Sequence, residues 1–166
     1  MHRLTAALGR SLRADDMPVP MYVFPDAEDF QRASDERLLS AGLSANKAAT
    51  LRRVADALLS GSLDQAALAR CASPEAIAML CKIKGIGPWT ATVILLRGLG
   101  RLDVFPENDS SVARNVAFVA GPEPRDVARV VSDLGAQRGM LYFHLLLARL
   151  EAHAEIGRAS FGAIPA

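Results

Sequence analysis

Apolar residues recur at helical spacing through almost the whole chain, and glycine or proline closes nearly every run. That rhythm restricts the fold to short helices that must bury their stripes against one another. In "SANKAATLRRVADALLSG" the residues Leu51, Val54, Ala55, Leu58 and Leu59 form one such stripe. Ser44 is placed to cap its start and Gly61 to stop it. Upstream, "HRLTAALGRSLR" sets Leu4, Ala7, Leu8 and Leu12 near helical spacing. Asp26 is placed to cap a short helix through Phe30, and another starts after Ser34. Downstream, "SLDQAALARCA" reads as helical, as does "SPEAIAML", with Ser73 as N-cap and Pro74 at the first helical position. Pro88 opens a helix through "WTATVILLRGLG", and Asn108 or Asp109 caps "SSVARNVAFVA". "RDVARVVSDLG" and the long "QRGMLYFHLLLARLEAHAEIG" complete the series, before a loose tail. Alternating patterns are scarce, with "VPMYVF" the one short strand candidate. The expected fold class is all-α, in a single domain over 1–166.

With 51% hydrophobic residues, 166 positions suffice for a buried core. A net charge of +1 lacks the strongly basic balance typical of nucleic-acid binders. The basic residues are skewed, however, with sixteen Arg against only Lys47, Lys82 and Lys84. A local arginine-bearing face would still neutralise phosphates. Two cysteines, Cys71 and Cys81, suit a reduced compartment and are too few for a four-cysteine zinc or iron–sulfur site. No stretch has the length and apolarity of a membrane span, and the first residues turn polar too soon for a secretory signal. These features lead us to expect a cytoplasmic protein with no membrane partner.

One interruption differs from the others: "KIKGIGPWTATVILLRGLG", Lys82 to Gly100. Gly85 and Gly87 permit backbone that a β-carbon would penalise, and they let a partner's backbone approach. Helix, "IKGIGP", helix describes a tight helical hairpin with free N–H groups at its tip. Pro88 removes one donor, so the glycine N–H groups carry any phosphate contact, with Lys82 and Lys84 adding charge. From these residues alone, a glycine-stopped turn with two solvated lysines stands equally open.

The longer block "KIKGIGPWTATVILLRGLGRLDVFPENDSSVARNV" adds "PWTA", "RG", "DVFP" and an aspartate opening the next helix, in that order. In this it resembles the helix-hairpin-helix DNA glycosylase superfamily, most of all the 3-methyladenine DNA glycosylase II branch. The resemblance implies an all-α glycosylase fold with its helix-hairpin-helix at about 74–98. It implies a monofunctional glycosylase of base excision repair that hydrolyses the N-glycosidic bond of alkylated purines and leaves an abasic site. The partner would be damaged double-stranded DNA, in a bacterial, nucleoid-associated setting. Asp109 matches the family's catalytic aspartate, which meets the positive charge that develops on the deoxyribose. Lys82, Lys84, Gly85 and Gly87 match the DNA-binding hairpin.

Trp89 stands where bifunctional members hold the lysine that attacks the sugar, which implies hydrolysis without a lyase step. Packing of the hairpin and contact with the base are both open roles for Trp89. Tyr142 and Phe143 fit either a base pocket or core packing. The main-chain carbonyls of Cys81, Ile83 and Ile86 match a monovalent-cation site of the superfamily hairpin. No cofactor is otherwise required, and no iron–sulfur cluster is expected. Relatives in this branch begin well upstream of the point matching Met1. That leads us to expect a homodimer covering the opened face, and a DNA-binding module of weak or no activity as the alternative function.

Overall fold

A computed structural model describes residues 2–12, 20–107, 112–120 and 126–152. The chain is mainly helical, as its periodicity demands, and it divides into two compact units, Met1–Ala91 and Thr92–Ala166. No described helix is long and apolar enough to cross a membrane.

The first unit begins with α1 (His2–Leu8), β1 (Ser11–Leu12) and β2 (Met21–Tyr22). β1 and β2 pair antiparallel, with Ser11 opposite Tyr22 and Leu12 opposite Met21. The helix expected through Leu12 therefore stops at Leu8. The cause is tertiary, because a β-carbon on Gly9 would lie 2.0 Å from the Val23 carbonyl oxygen. The returning strand occupies the space that a further turn needs, and Val23 N–H donates to the Arg10 carbonyl at 3.0 Å. Leu12, Met21, Val23 and Phe24 remain exposed beside this ladder.

α2 (Ala27–Arg32) and α3 (Asp35–Ser40) pack on α4 (Ala45–Leu59). Each start is written in the sequence. Asp26 accepts from Asp29 N–H at 2.9 Å and Asp29 returns a carboxylate oxygen to Asp26 N–H at 3.1 Å, a reciprocal capping box. Ser34 accepts from Arg37 N–H, and Ser44 from Lys47 N–H. Phe30, Ala33, Leu38, Ala48 and Ala55 form the core, flanked by Leu4, Leu8, Leu43 and Leu51. The buried line of α4 thus runs through Ala48 and Ala55, whose small side chains admit close packing. Leu59, expected on the stripe, is half exposed. Arg52 ties α4 to the α2–α3 junction, donating to the Ala33 carbonyl and the Asp35 carboxylate, both at 2.7 Å. α5 (Gln65–Arg70) follows with Asp64 as its cap, and then α6 (Ser73–Cys81). Here the cap is Ala72, with no side-chain hydrogen bond, and Ser73 is itself the first helical residue and buried. The expectation of Ser73 as N-cap is displaced by one residue.

α7 (Pro88–Val93) passes without a break into a wider π-helical turn, Ile94–Gly98. The expected single α-helix therefore changes pitch midway. Within the second unit, the Leu95 carbonyl accepts from both Leu99 and Arg101 N–H, and Leu95 and Leu96 are both fully buried. α8 (Val112–Ala120), α9 (Val127–Asp133) and α10 (Arg138–Ala152) complete this unit. Asp126 caps α9 through Arg129 N–H, and a short 3₁₀ turn, Gly135–Gln137, leads into α10. The core here is Phe105, Val112, Val131 and Leu145, with Val116, Val127, Leu141 and Tyr142 against it.

Candidate nucleic-acid interface

The hairpin between α6 and α7 is built as a braced turn. Ile83 N–H bonds the Leu80 carbonyl at 3.1 Å, and Ile86 N–H bonds the Ile83 carbonyl at 3.0 Å. Between them Gly85 sits at φ +102°, a region that L side chains rarely adopt. Ile86 is buried, so the loop carries its own apolar anchor while Lys82, Lys84, Gly85 and Gly87 stay exposed. α4 supplies the brace. Arg53 Nη1 donates to the Lys84 carbonyl at 3.0 Å. A β-carbon on Gly85 would lie 2.1 Å from Thr50 Oγ1, and that hydroxyl is itself held by the Asn46 carbonyl at 2.8 Å.

The two glycines are therefore glycines for different reasons. Gly85 is required by its positive φ and by contact with Thr50. Gly87 has neither requirement, since its φ is not positive and a β-carbon there would meet nothing within 4 Å. Its carbonyl closes the first turn of α7 by accepting from Ala91 N–H at 2.9 Å. Among the described residues, neither glycine N–H has a hydrogen-bond acceptor. The tip thus presents two main-chain donors, with Lys82 and Lys84 beside them and outside every ion pair of the described residues. That is the chemistry of an anion cradle.

Trp89, in the first turn of α7, leaves 45% of its surface open. Cys81 is the last residue of α6, where helix carbonyls lose their intrahelical partners. The Ile83 carbonyl spends one lone pair on Ile86 N–H and keeps the other.

In the second unit, Val104, Phe105 and Pro106 are buried, so the "DVFP" loop is pinned up to Glu107, which is exposed together with Asp103. Asp109, which this loop leads to, lies outside the described residues, as does Asn108. Tyr142 packs on the Phe105 core and meets Phe143 edge to face at 5.8 Å. Arg138 Nε is engaged by the Gly135 carbonyl at 2.7 Å, and His144 is exposed.

Sequence reasoning missed Gly139. Its N–H donates to the Leu102 carbonyl at 2.7 Å, and a β-carbon would lie 2.6 Å from Leu96 and 2.9 Å from the Leu102 backbone. α10 therefore begins in direct contact with the loop that leads to Asp109. The available signal was a glycine in the first turn of an otherwise apolar helix.

No family model matches the chain. It is 34% identical over 97 residues to DNA-3-methyladenine glycosylase 1 of Schizosaccharomyces pombe, an alignment covering 58% of this chain and 42% of that protein. The 3-methyladenine DNA-glycosylase of Archaeoglobus fulgidus superposes with a TM-score of 0.68 at 27% identity, over 89% of this chain and 50% of the other. A Schizosaccharomyces pombe 3-methyladenine DNA glycosylase solved with abasic DNA superposes at 0.63 with 26% identity, over 76% and 65%. The chain spans between 42% and 65% of the length of these relatives.

Proposed function

The chain belongs to the helix-hairpin-helix DNA glycosylase superfamily, and on that premise we propose that it is a monofunctional glycosylase acting on alkylated purines in double-stranded DNA. The observation that carries the proposal is Gly87. Among the described residues nothing requires glycine there, and neither its N–H nor that of Gly85 has an acceptor on this exposed, lysine-flanked tip. A surface that needs a missing side chain and offers main-chain donors suits close docking of a phosphate backbone. Such contact positions the duplex without reading its sequence.

In the proposed mechanism, the hairpin holds the strand while the damaged nucleotide turns out of the stack. Asp109 is the carboxylate that the family pattern assigns to the sugar. Its carboxylate stabilises positive charge developing on the deoxyribose or orients the attacking water. An alkylated purine already carries positive charge and leaves without a strong general acid. Trp89 offers an open indole face on which a cationic base is favoured. No amine stands at that position, so the reaction ends at the abasic site. Cys81, Ile83 and Ile86 fit a monovalent cation through main-chain carbonyls, by the free lone pair of Ile83 and the helix-end position of Cys81. Such an ion would add positive charge beneath the phosphate.

Release of methylated base from alkylated duplex DNA tests the reading. If the intact chain binds the duplex but releases no base, it is a DNA-holding module and the enzyme proposal fails. A finer test isolates the hairpin. Gly87→Ala should leave folding stability within about 0.5 kcal/mol, because the new methyl meets only solvent. It should weaken duplex affinity about tenfold, the loss expected of one charge-assisted main-chain contact. Fluorescence anisotropy at fixed salt reads the affinity. Unchanged binding would remove Gly87 from the interface.

A further inference from the structure

Beyond the hairpin, the second unit holds a cleft of about 440 Å³ at one end of the α8–α10 seam. Val112 and Val116 of α8 pack with Leu141 and Leu145 of α10. Past that apolar contact the two helices carry polar groups instead. Among the described residues, Arg114, Asn115 and Phe118 line the cleft from α8, and Arg149 and Ala152 from α10. Its volume falls in the range of small-ligand sites.

Three features set it apart from an ordinary solvated face. First, among the described residues the lining has two guanidinium groups and no carboxylate. Second, neither Arg114 nor Arg149 takes part in any ion pair or hydrogen bond among the described residues. Elsewhere, Arg32, Arg52 and Arg129 have each found an acid. Third, Phe118 is 61% exposed, the highest exposure of any large hydrophobic side chain described. A polar face of this unit would normally not hold an open phenyl ring in one cleft with two arginines that lie outside every ion pair of the described residues.

Together the groups match one chemistry. Guanidinium forks recognise phosphate oxygens in pairs. A phenyl ring open to solvent offers a stacking platform for a planar base. Asn115 supplies an amide able both to donate and to accept. We propose that this cleft is a nucleotide site separate from the hairpin, taking a phosphate between Arg114 and Arg149 and an unstacked base on Phe118. The same chemistry is offered by a free nucleotide and by one unit of a single strand. It does not rest on the glycosylase reading, since it needs neither Asp109 nor the hairpin.

Calorimetric titration of the full chain tests it, using deoxyadenosine 5′-monophosphate and a five-residue single-stranded oligonucleotide. Inorganic phosphate and deoxyadenosine serve as half-ligands. The monophosphate should bind at least about tenfold more tightly than either half-ligand, because both ends are recognised. Arg114→Gln combined with Arg149→Gln should weaken the monophosphate at least about tenfold. Phe118→Ala should weaken both full probes, while Phe118→Tyr, which keeps the ring, should restore them. Circular dichroism checks that the variants remain folded. An oligonucleotide bound about tenfold more tightly than the monophosphate identifies a strand as the source, and equal affinities identify the free nucleotide. Gly87→Ala should leave monophosphate binding intact, which separates this site from the hairpin. Absence of saturable binding by both probes up to about 5 mM overturns the proposal. Affinity unchanged in the arginine pair or in Phe118→Ala does so too.

Discussion

Asp109→Asn is expected to slow release of methylated purine by at least about a hundredfold, the scale on which one group matched to transition-state charge acts. Duplex affinity should stay within about threefold, because the amide keeps the shape of the carboxylate and the hairpin contacts are untouched. The asymmetry follows from when the charge matters. The ground-state sugar is neutral, and positive charge appears on it only as the glycosidic bond lengthens. A neutral amide at the same place loses that interaction alone. Single-turnover base release and anisotropy on one preparation measure both quantities. Wild-type rates in the variant would remove Asp109 from the chemistry. Loss of binding and release together would mark it as structural.

Gly85→Ala should destabilise the first unit by about 3 kcal/mol, the sum of a positive-φ penalty and an overpacking cost. Its φ of +102° is the first cause. The second is the 2.1 Å approach to Thr50 Oγ1, a hydroxyl that cannot swing away without leaving the Asn46 carbonyl. For a chain of this size the melting midpoint should fall by about 10 °C. Adding Thr50→Ala should recover part of the loss, since the hydroxyl and methyl are gone but the backbone penalty remains. Thermal unfolding of the single and double variants gives the comparison. A fall of under about 2 °C in Gly85→Ala would show that the turn relaxes and that α4 does not brace it. The contrast with Gly87→Ala is the point: one glycine is required by the fold, and its neighbour two positions on is the one we propose for the partner.

Much of this was legible beforehand because it is local. Asp26, Ser34 and Ser44 cap the helices they precede, since a cap needs only its own side chain and the next three N–H groups. Gly61 stops α4 at φ +72°, for the same reason. The hairpin was legible as glycine, isoleucine, glycine and proline between two helical runs. Ser73 lies one residue inside the helix it is placed to cap, and Leu12, at helical spacing in the sequence, lies in a strand. No local signal marks Leu12, because the strand that displaces the helix returns from Met21 and Tyr22.

The sequence by itself determined the helical class, most of the helix starts and the place of the hairpin, all set by contacts within a few residues. Its match with the glycosylase pattern also named Asp109. Tertiary structure decided what the sequence could not separate. Gly85 and Gly87 look alike in the chain, and only the folded backbone, which sets Gly85 at φ +102° and against Thr50, distinguishes a packed glycine from an open one. Gly139 became meaningful only when Leu102 was found against it. Arg114 and Phe118 lie one turn apart on α8, but Arg149 is remote in the chain and joins them in a cleft only because α8 and α10 pack together. In each case the deciding quantity is the distance between groups remote in sequence, which periodicity and capping do not encode.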